Sequence, residues 1–244
     1  MINNLIIIPY RDREEHLKEF KEQTLPLFRK ILGDFVLLIV EQDDDKLFNR
    51  GALINAGAKE YLFSAKYIIT HDVDFYPGEL MIKTLYSTEL EDSHVWGIYT
   101  SEWDSLAPIV KLKINTFILI NGFPNNFWGH GEEDKALQNR AETYGLGIRK
   151  NKIMHHVHET VSNNEWTLRK DHHEKQALPP DGGVERRNFE YQPPYGEGVF
   201  KKLNDLEKFT HINGSGMNNI SYKITADSQP EENVRHLKVE LPDF

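Results

Sequence analysis

The chain has 244 residues, 39% hydrophobic and 27% charged, with a net charge of −9 when histidine is neutral. Those proportions suit a single folded domain, residues 1–244, with a packed core and no wholesale disorder. The acidic balance excludes a general nucleic-acid binder, which needs clustered Lys and Arg. The absence of cysteine excludes disulfides, thiolate metal sites and a Cys nucleophile, and fits a reducing compartment.

In chain order, residues 5–8 (LIII) are short, apolar and β-branched, as in a strand buried on both faces. The run is too short for a bilayer span or a signal core and begins just after Met1, so the expectation is a cytoplasmic protein with no integral membrane segment. PYRDREEHLKEF follows, a basic loop entering a helix with Glu14 and Glu15 in its first turn, where the helix dipole favours acids. Residues 35–40 read as a second buried strand, ended by EQDDDK, whose acidic run 43–45 reads as a solvated loop. Residues 50–62 form a helical pattern with Leu53, Ile54, Ala58 and Tyr61 on one face. Residues 67–70 are a third strand, delivering the chain to His71-Asp72-Val73-Asp74. This alternation predicts an α/β fold with a doubly wound, mostly parallel sheet, whose ligands bind at the carboxyl ends of strands.

The middle is less regular. Strands are expected at 94–99 and 109–112, a short helix at 115–120 closed by Asn121-Gly122, and a helix at 132–144 ended by Gly145. Residues 153–158 read as a strand, as do 220–225 and 234–241 near the end. The span 176–198, containing PPDGGVERR and QPPYGEG, reads as an irregular surface loop or lid.

Three stretches carry candidate chemistry. Asp72 and Asp74, on an extended segment, point to one side and suit a hard divalent cation with phosphate oxygens, although a solvated strand end looks the same. In Met154-His155-His156-Val157-His158, alternation puts His156 and His158 on one face. Carboxylate plus imidazole fits Mn²⁺ or Zn²⁺, and a surface histidine cluster is the bland alternative. NGFPNNFWGHGEED, residues 121–134, mixes amides, aromatics and acids. Aromatic faces take the C–H face of a sugar ring while amides and acids take its hydroxyls. Arg11, Arg13 and Arg50 stand where strands give way to helix N-termini, which favour anions, though each taken alone reads as a solvated surface arginine.

Taken in order, IIIPYRDREEHL, LFNRGALINAGA, HDVD, NGFPNNFWGHGEED and the His-rich strand resemble the β-1,4-galactosyltransferase family, and SGMNNISYKITA and RHLKVEL resemble its last two strands. The resemblance implies a GT-A fold and inverting transfer from a UDP-sugar to a saccharide hydroxyl, with Mn²⁺ as the usual cofactor. Galactose is the default sugar, with GalNAc or another hexose as alternatives. On the matched positions, Pro9, Tyr10, Arg11 and Arg13, with Phe48 and Arg50, belong to the donor site, as do Asp72 and Val73. Asp74, His156 and His158 match the metal ligands, in the His-x-His pattern of the branch that extends xylose-linked glycans. Asp134 matches the general base, and Trp128, Gly129, His130 and Glu133 match acceptor positions.

Departures from the pattern are His130 in place of a second Trp, Ala107-Pro108 in place of a Gly-Gly pair, and Lys135 in place of an acid. The lack of cysteines and of an anchor suggests a bacterial or viral relative making a surface glycan. A glycan-binding module that has lost turnover and a metal-dependent hydrolase are the competing readings.

Overall fold

The computed structural model describes residues 1–100, 106, 109–129, 133–152 and 202–244, with the side chains of 98–100 and 151–152 excepted. The expected strand at 153–158, the loop at 176–198, Ala107-Pro108, His130, His156 and His158 lie outside the described residues.

The first half follows the predicted alternation. Strand β1 (Ile2–Tyr10) leads to helices α1 (Glu14–Gln23) and α2 (Leu25–Ile31), then to β2 (Phe35–Gln42), α3 (Arg50–Lys59) and β3 (Ala65–His71). The sequence suggested one helix after β1. Pro26, in the first turn of α2, has no N–H to continue the α1 ladder, so two helices form and meet at Thr24. A short helix α4 (Glu79–Met81) runs into a π-helical turn, Ile82–Tyr86. Then come β4 (His94–Thr100), β5 (Ile109–Lys113), α5 (Ile114–Leu119), α6 (Glu133–Thr143) and β6 (Gly147–Lys152). The described chain ends with α7 (Asp205–Gly214), β7 (Lys223–Glu231) and β8 (Val234–Glu240).

The eight strands form one sheet, in the order β6-β4-β5-β3-β1-β2-β8-β7. β1, β2, β3 and β8 are mutually parallel, β4 is parallel to β6, β5 is antiparallel to both its neighbours, and β7 is antiparallel to β8. The sheet is therefore mixed. β5 runs antiparallel between β3 and β4, whereas the crossover through α3 keeps β2 and β3 parallel to the β1 that they flank. From β1 the strand order departs in both directions, to β2 on one side and β3 on the other, which makes the β1/β3 boundary the switch point where α/β sheets hold ligands.

Alternation along β1 divides the core. Leu5 and Ile7 face a layer containing α3, α5 and α6, while Ile6 and Ile8 face Phe20 and Phe28 of α1 and α2. All four β1 side chains are fully buried, which is why the strand reads as an unbroken apolar run. Helix α3 is buried from Arg50 to Ala58, so its pattern has no polar face at all. It lies close enough to its neighbours that a Cβ on Gly51 would stand 2.9 Å from the carbonyl oxygen of Pro124.

Candidate active site

Arg50 organises the site. Asn49 caps α3 by accepting the N–H of Ala52 at 2.9 Å, which fixes the helix start and aims the next residue, Arg50, across the carboxyl end of the sheet. Arg50 Nε donates to Asp72 Oδ1 at 2.8 Å, just beyond β3. One terminal nitrogen donates to Asp134 Oδ1 at 2.8 Å and lies 3.7 Å from Glu133 Oε1, both at the start of α6. The guanidinium carbon also sits 5.7 Å from the ring centroid of Phe123. Burial works against the Arg50 charge, but Asp134, Asp72 and Glu133 together outweigh it and keep the group protonated. Desolvation pushes the Asp134 carboxyl well above the usual range against the pull of Arg50, with Glu133 and Asp72 adding to the rise. Asp72 is raised for the same first reason, against the pull of Arg50 and with Asp74 and Glu133 adding to the rise.

Asp72-Val73-Asp74 does not extend β3. The strand stops at His71 and the two residues after Asp72 lie in a turn, so strand alternation is not what relates the two acids. Asp74 is 7% exposed, and Val73 packs into the core layer of α1 and α2. His71 is fully buried among Phe20, Phe28 and Tyr86, its Nδ1 within 2.7 Å of the Asp72 carbonyl oxygen. Burial lowers its pKa to about 4, so the ring is neutral.

The donor-side candidates line the next loop. Pro9 and Tyr10 are buried in β1, and Arg11 follows them. An Arg11 terminal nitrogen donates to the Lys46 carbonyl oxygen at 2.5 Å, and its guanidinium lies 5.5 Å from the Phe48 ring centroid. Arg13, half-buried, stands at the N-cap of α1. The Gly129 N–H donates to the Phe48 carbonyl oxygen at 2.8 Å, which ties the aromatic loop to the donor side. Trp128 is half-buried beside it.

Two parts of the sequence reading change. The amides of NGFPNN are structural. Asn125 Nδ2 donates to the Gly216 carbonyl oxygen at 2.8 Å and to Asn219 Oδ1 at 3.0 Å, while its Oδ1 accepts from Asn55 at 2.7 Å. Asn121 reaches the Ile212 carbonyl oxygen at 2.7 Å. Their hydrogen-bonding capacity goes to holding loops together, and Phe127 packs against Ala136 and Ile212. Nor is the run 43–45 merely solvated. Asp43 accepts from the Thr225 hydroxyl, and Asp44 accepts from Gln42 at 2.8 Å and from the Leu241 N–H at 2.9 Å, while Asp45 is exposed.

Sequence reasoning also missed Arg140 of α6. It is fully buried and donates to the carbonyl oxygens of Asn121 at 2.7 Å and Gly122 at 2.9 Å, neutralising the end of α5. The recurrence of Asn in apolar surroundings (LINAG, NGFPNN, GMNN) is the signal that points to this network.

The same segments define a lineage. Residues 2–87 match the N-terminal region of glycosyl transferase group 7, and residues 93–161 match the N-terminal domain of galactosyltransferase. The chain belongs to the group 7 glycosyltransferases. It is 32% identical over 152 residues to beta-1,4-galactosyltransferase 1 of Mus musculus, covering 59% of this chain and 37% of that one. It is 28% identical over 216 residues to beta-1,4-galactosyltransferase 5 of the mouse, covering 81% of this chain and 54% of that one. This group 7 chain therefore spans between about a third and about half the length of those relatives. Among solved structures, Drosophila β-1,4-galactosyltransferase 7 in complex with manganese, UDP-Gal and xylobiose superposes with a TM-score of 0.70 at 20% identity, covering 99% of this chain and 95% of that one. That likeness shows the fold, GT-A. Among the described residues, no helix is long and apolar enough to cross a membrane.

Proposed function

We propose that the protein is a metal-dependent, inverting galactosyltransferase that moves galactose from UDP-galactose to a saccharide hydroxyl. The observation that carries the proposal is the Arg50 junction. It joins Asp72 on the donor side to Asp134 at the start of α6, where the family resemblance puts the base. Membership of group 7 supports the reaction class, and the UDP-Gal and xylobiose of the Drosophila structure support the substrate classes.

The described residues suit Mn²⁺ in their donor chemistry. Asp72, Glu133 and Asp134 surround a single Arg50, and Asp74 lies within electrostatic reach of Asp72, a surplus of hard anionic oxygen that favours a divalent cation. Among the described residues no three His, Asp or Glu side chains assemble as a ligand set. Asp74 would hold the ion together with His156 and His158. Bound there, the ion supplies the positive charge that a departing diphosphate requires.

The chain's own groups do the rest. Arg11 and Arg13, at the α1 entrance, bind the diphosphate, and Phe48 flanks the nucleoside. Asp134 accepts the proton of the acceptor hydroxyl as its oxygen bonds to the anomeric carbon and the bond from that carbon to UDP breaks on the opposite face. Arg50 keeps the Asp134 carboxylate oriented. Burial raises the pKa of the Asp134 carboxyl, which makes its carboxylate a stronger proton acceptor.

Thermal denaturation with UDP and a panel of UDP-sugars, each with Mn²⁺ and with EDTA, tests this. UDP-galactose should raise the midpoint only when Mn²⁺ is present, because a ligand that binds only the native state stabilises it. No shift with any nucleotide under either condition would overturn the donor assignment and favour a glycan-binding module.

A further inference from the structure

We propose that residues 241–244, the segment following β8, form part of the acceptor site, with Phe244 as a specificity-determining residue beside Trp128. The inference rests on the transferase reading above. Past β8, the Leu241 N–H donates to Asp44 Oδ2 at 2.9 Å, and Lys46 Nζ donates to the Leu241 carbonyl oxygen at 2.6 Å. The same ammonium pairs with Asp243 at 3.0 Å and lies 5.8 Å from the Trp128 ring centroid. The segment is thus pinned at its backbone and at a side chain, and Lys46 fixes it and Trp128 at once.

The Phe244 ring stands against Trp128 with centroids 6.2 Å apart and planes inclined by 31°. Both rings are only partly buried, so the pair offers more apolar surface than Trp128 alone. Two adjoining rings suit the C–H face of a pyranose. The Asp243 carboxylate, 94% exposed at the same edge, is placed to accept a sugar hydroxyl. The shelf is also coupled to the chemistry. Gly129, next to Trp128, bonds to the Phe48 carbonyl oxygen, and Arg50, two residues past Phe48, holds Asp134.

The protein is assayed with UDP-galactose, Mn²⁺ and the p-nitrophenyl β-glycosides of xylose, glucose and N-acetylglucosamine. Phe244→Ala should raise the KM for the preferred glycoside about tenfold, with a smaller fall in kcat, the pattern of lost ground-state binding. The KM for UDP-galactose should move less than about twofold. Phe244→Tyr should restore the acceptor KM, and Lys46→Met, which frees the segment, should raise it as Phe244→Ala does. An unchanged acceptor KM in an active Phe244→Ala protein overturns this inference alone. A lowered KM also overturns it, making the segment a plug over Trp128. A wild type that transfers to none of the glycosides and shows no nucleotide-dependent stabilisation removes the transferase reading and this inference together.

Discussion

At the scale of single residues, Arg50 and Asp134 carry the most. One guanidinium bonded to acids from two distant segments converts sequence-remote carboxylates into one electrostatic unit. Asp134→Asn keeps the shape and the hydrogen bond to Arg50 but removes the proton acceptor. Transfer should fall by about 10²- to 10⁴-fold, the usual worth of a positioned base. Mn²⁺-dependent stabilisation by UDP should persist, as thermal denaturation would show. Loss of both together would give Asp134 another job. In the wild type, kcat/KM should fall as pH drops through the elevated Asp134 pKa, so the acid limb should lie above the ordinary carboxylate range. At this scale the sequence was partly legible. The acids at 72 and 134 stood out through motif order, but an isolated Arg50 looked like any surface arginine. Its burial, 9% exposed, comes from α3 being enclosed on all sides, which no local pattern encodes.

At the scale of elements, two polar devices hold the site's supports. The first is Lys111 of β5, 1% exposed, which donates to the carbonyl oxygens of Tyr86 and Thr88 and lies 4.4 Å from the Tyr67 ring centroid. It satisfies carbonyls where the π-helical turn ends, and that turn follows the Asp72–Asp74 loop. Burial lowers the Lys111 pKa from 10.5 to about 8. The unfolded chain therefore binds this proton more tightly, and stability should climb by about 3 kcal/mol between pH 8 and 10.5 on account of this group. Urea unfolding at about pH 8 and about pH 10 should show that climb in the wild type relative to Lys111→Met. Parallel behaviour of the two proteins would mean that Lys111 is solvated.

The second device is the asparagine clasp. Asn125→Ala leaves the buried Gly216 carbonyl with the Asn219 N–H as its remaining partner and strands one Asn55 N–H, and should cost about 1–3 kcal/mol by urea denaturation. Asn126→Ala should cost less than about 1 kcal/mol, since among the described residues half-buried Asn126 receives a single 3.3 Å contact, from Ser215. Equal losses would show that the clasp is not the reason. Strands β1, β2 and β3 were legible because burial on both faces leaves apolar runs. The break at Thr24 was legible in principle, through Pro26. The direction of β5 was not, because antiparallel and parallel buried strands share composition.

At the scale of the whole molecule, the arrangement is a mixed sheet with its switch point beside the Arg50 junction. The ordered motifs conveyed that arrangement better than any single element. Periodicity alone gave a doubly wound sheet, and the motif order added the family and the GT-A fold. What stayed illegible were the long-range partnerships. Lys46 with Leu241, Asp43 with Thr225 and Asn125 with Gly216 join segments between about 90 and about 195 residues apart. Local composition gives no hint of them.

Those partnerships have a consequence for how the chain is made. Strand β8 is inserted between β2 and β7, and the clasp needs Ser215, Gly216 and Asn219. While residues 215–240 are still on the ribosome, β2 has an open edge and Asn55 and Asn125 lack their later partners. The nascent protein passes through a stage with its core layers collapsed and its active-site loops unclasped, when an exposed strand edge invites aggregation. Translation slowed just before residue 215 should therefore lengthen the dependence on chaperones.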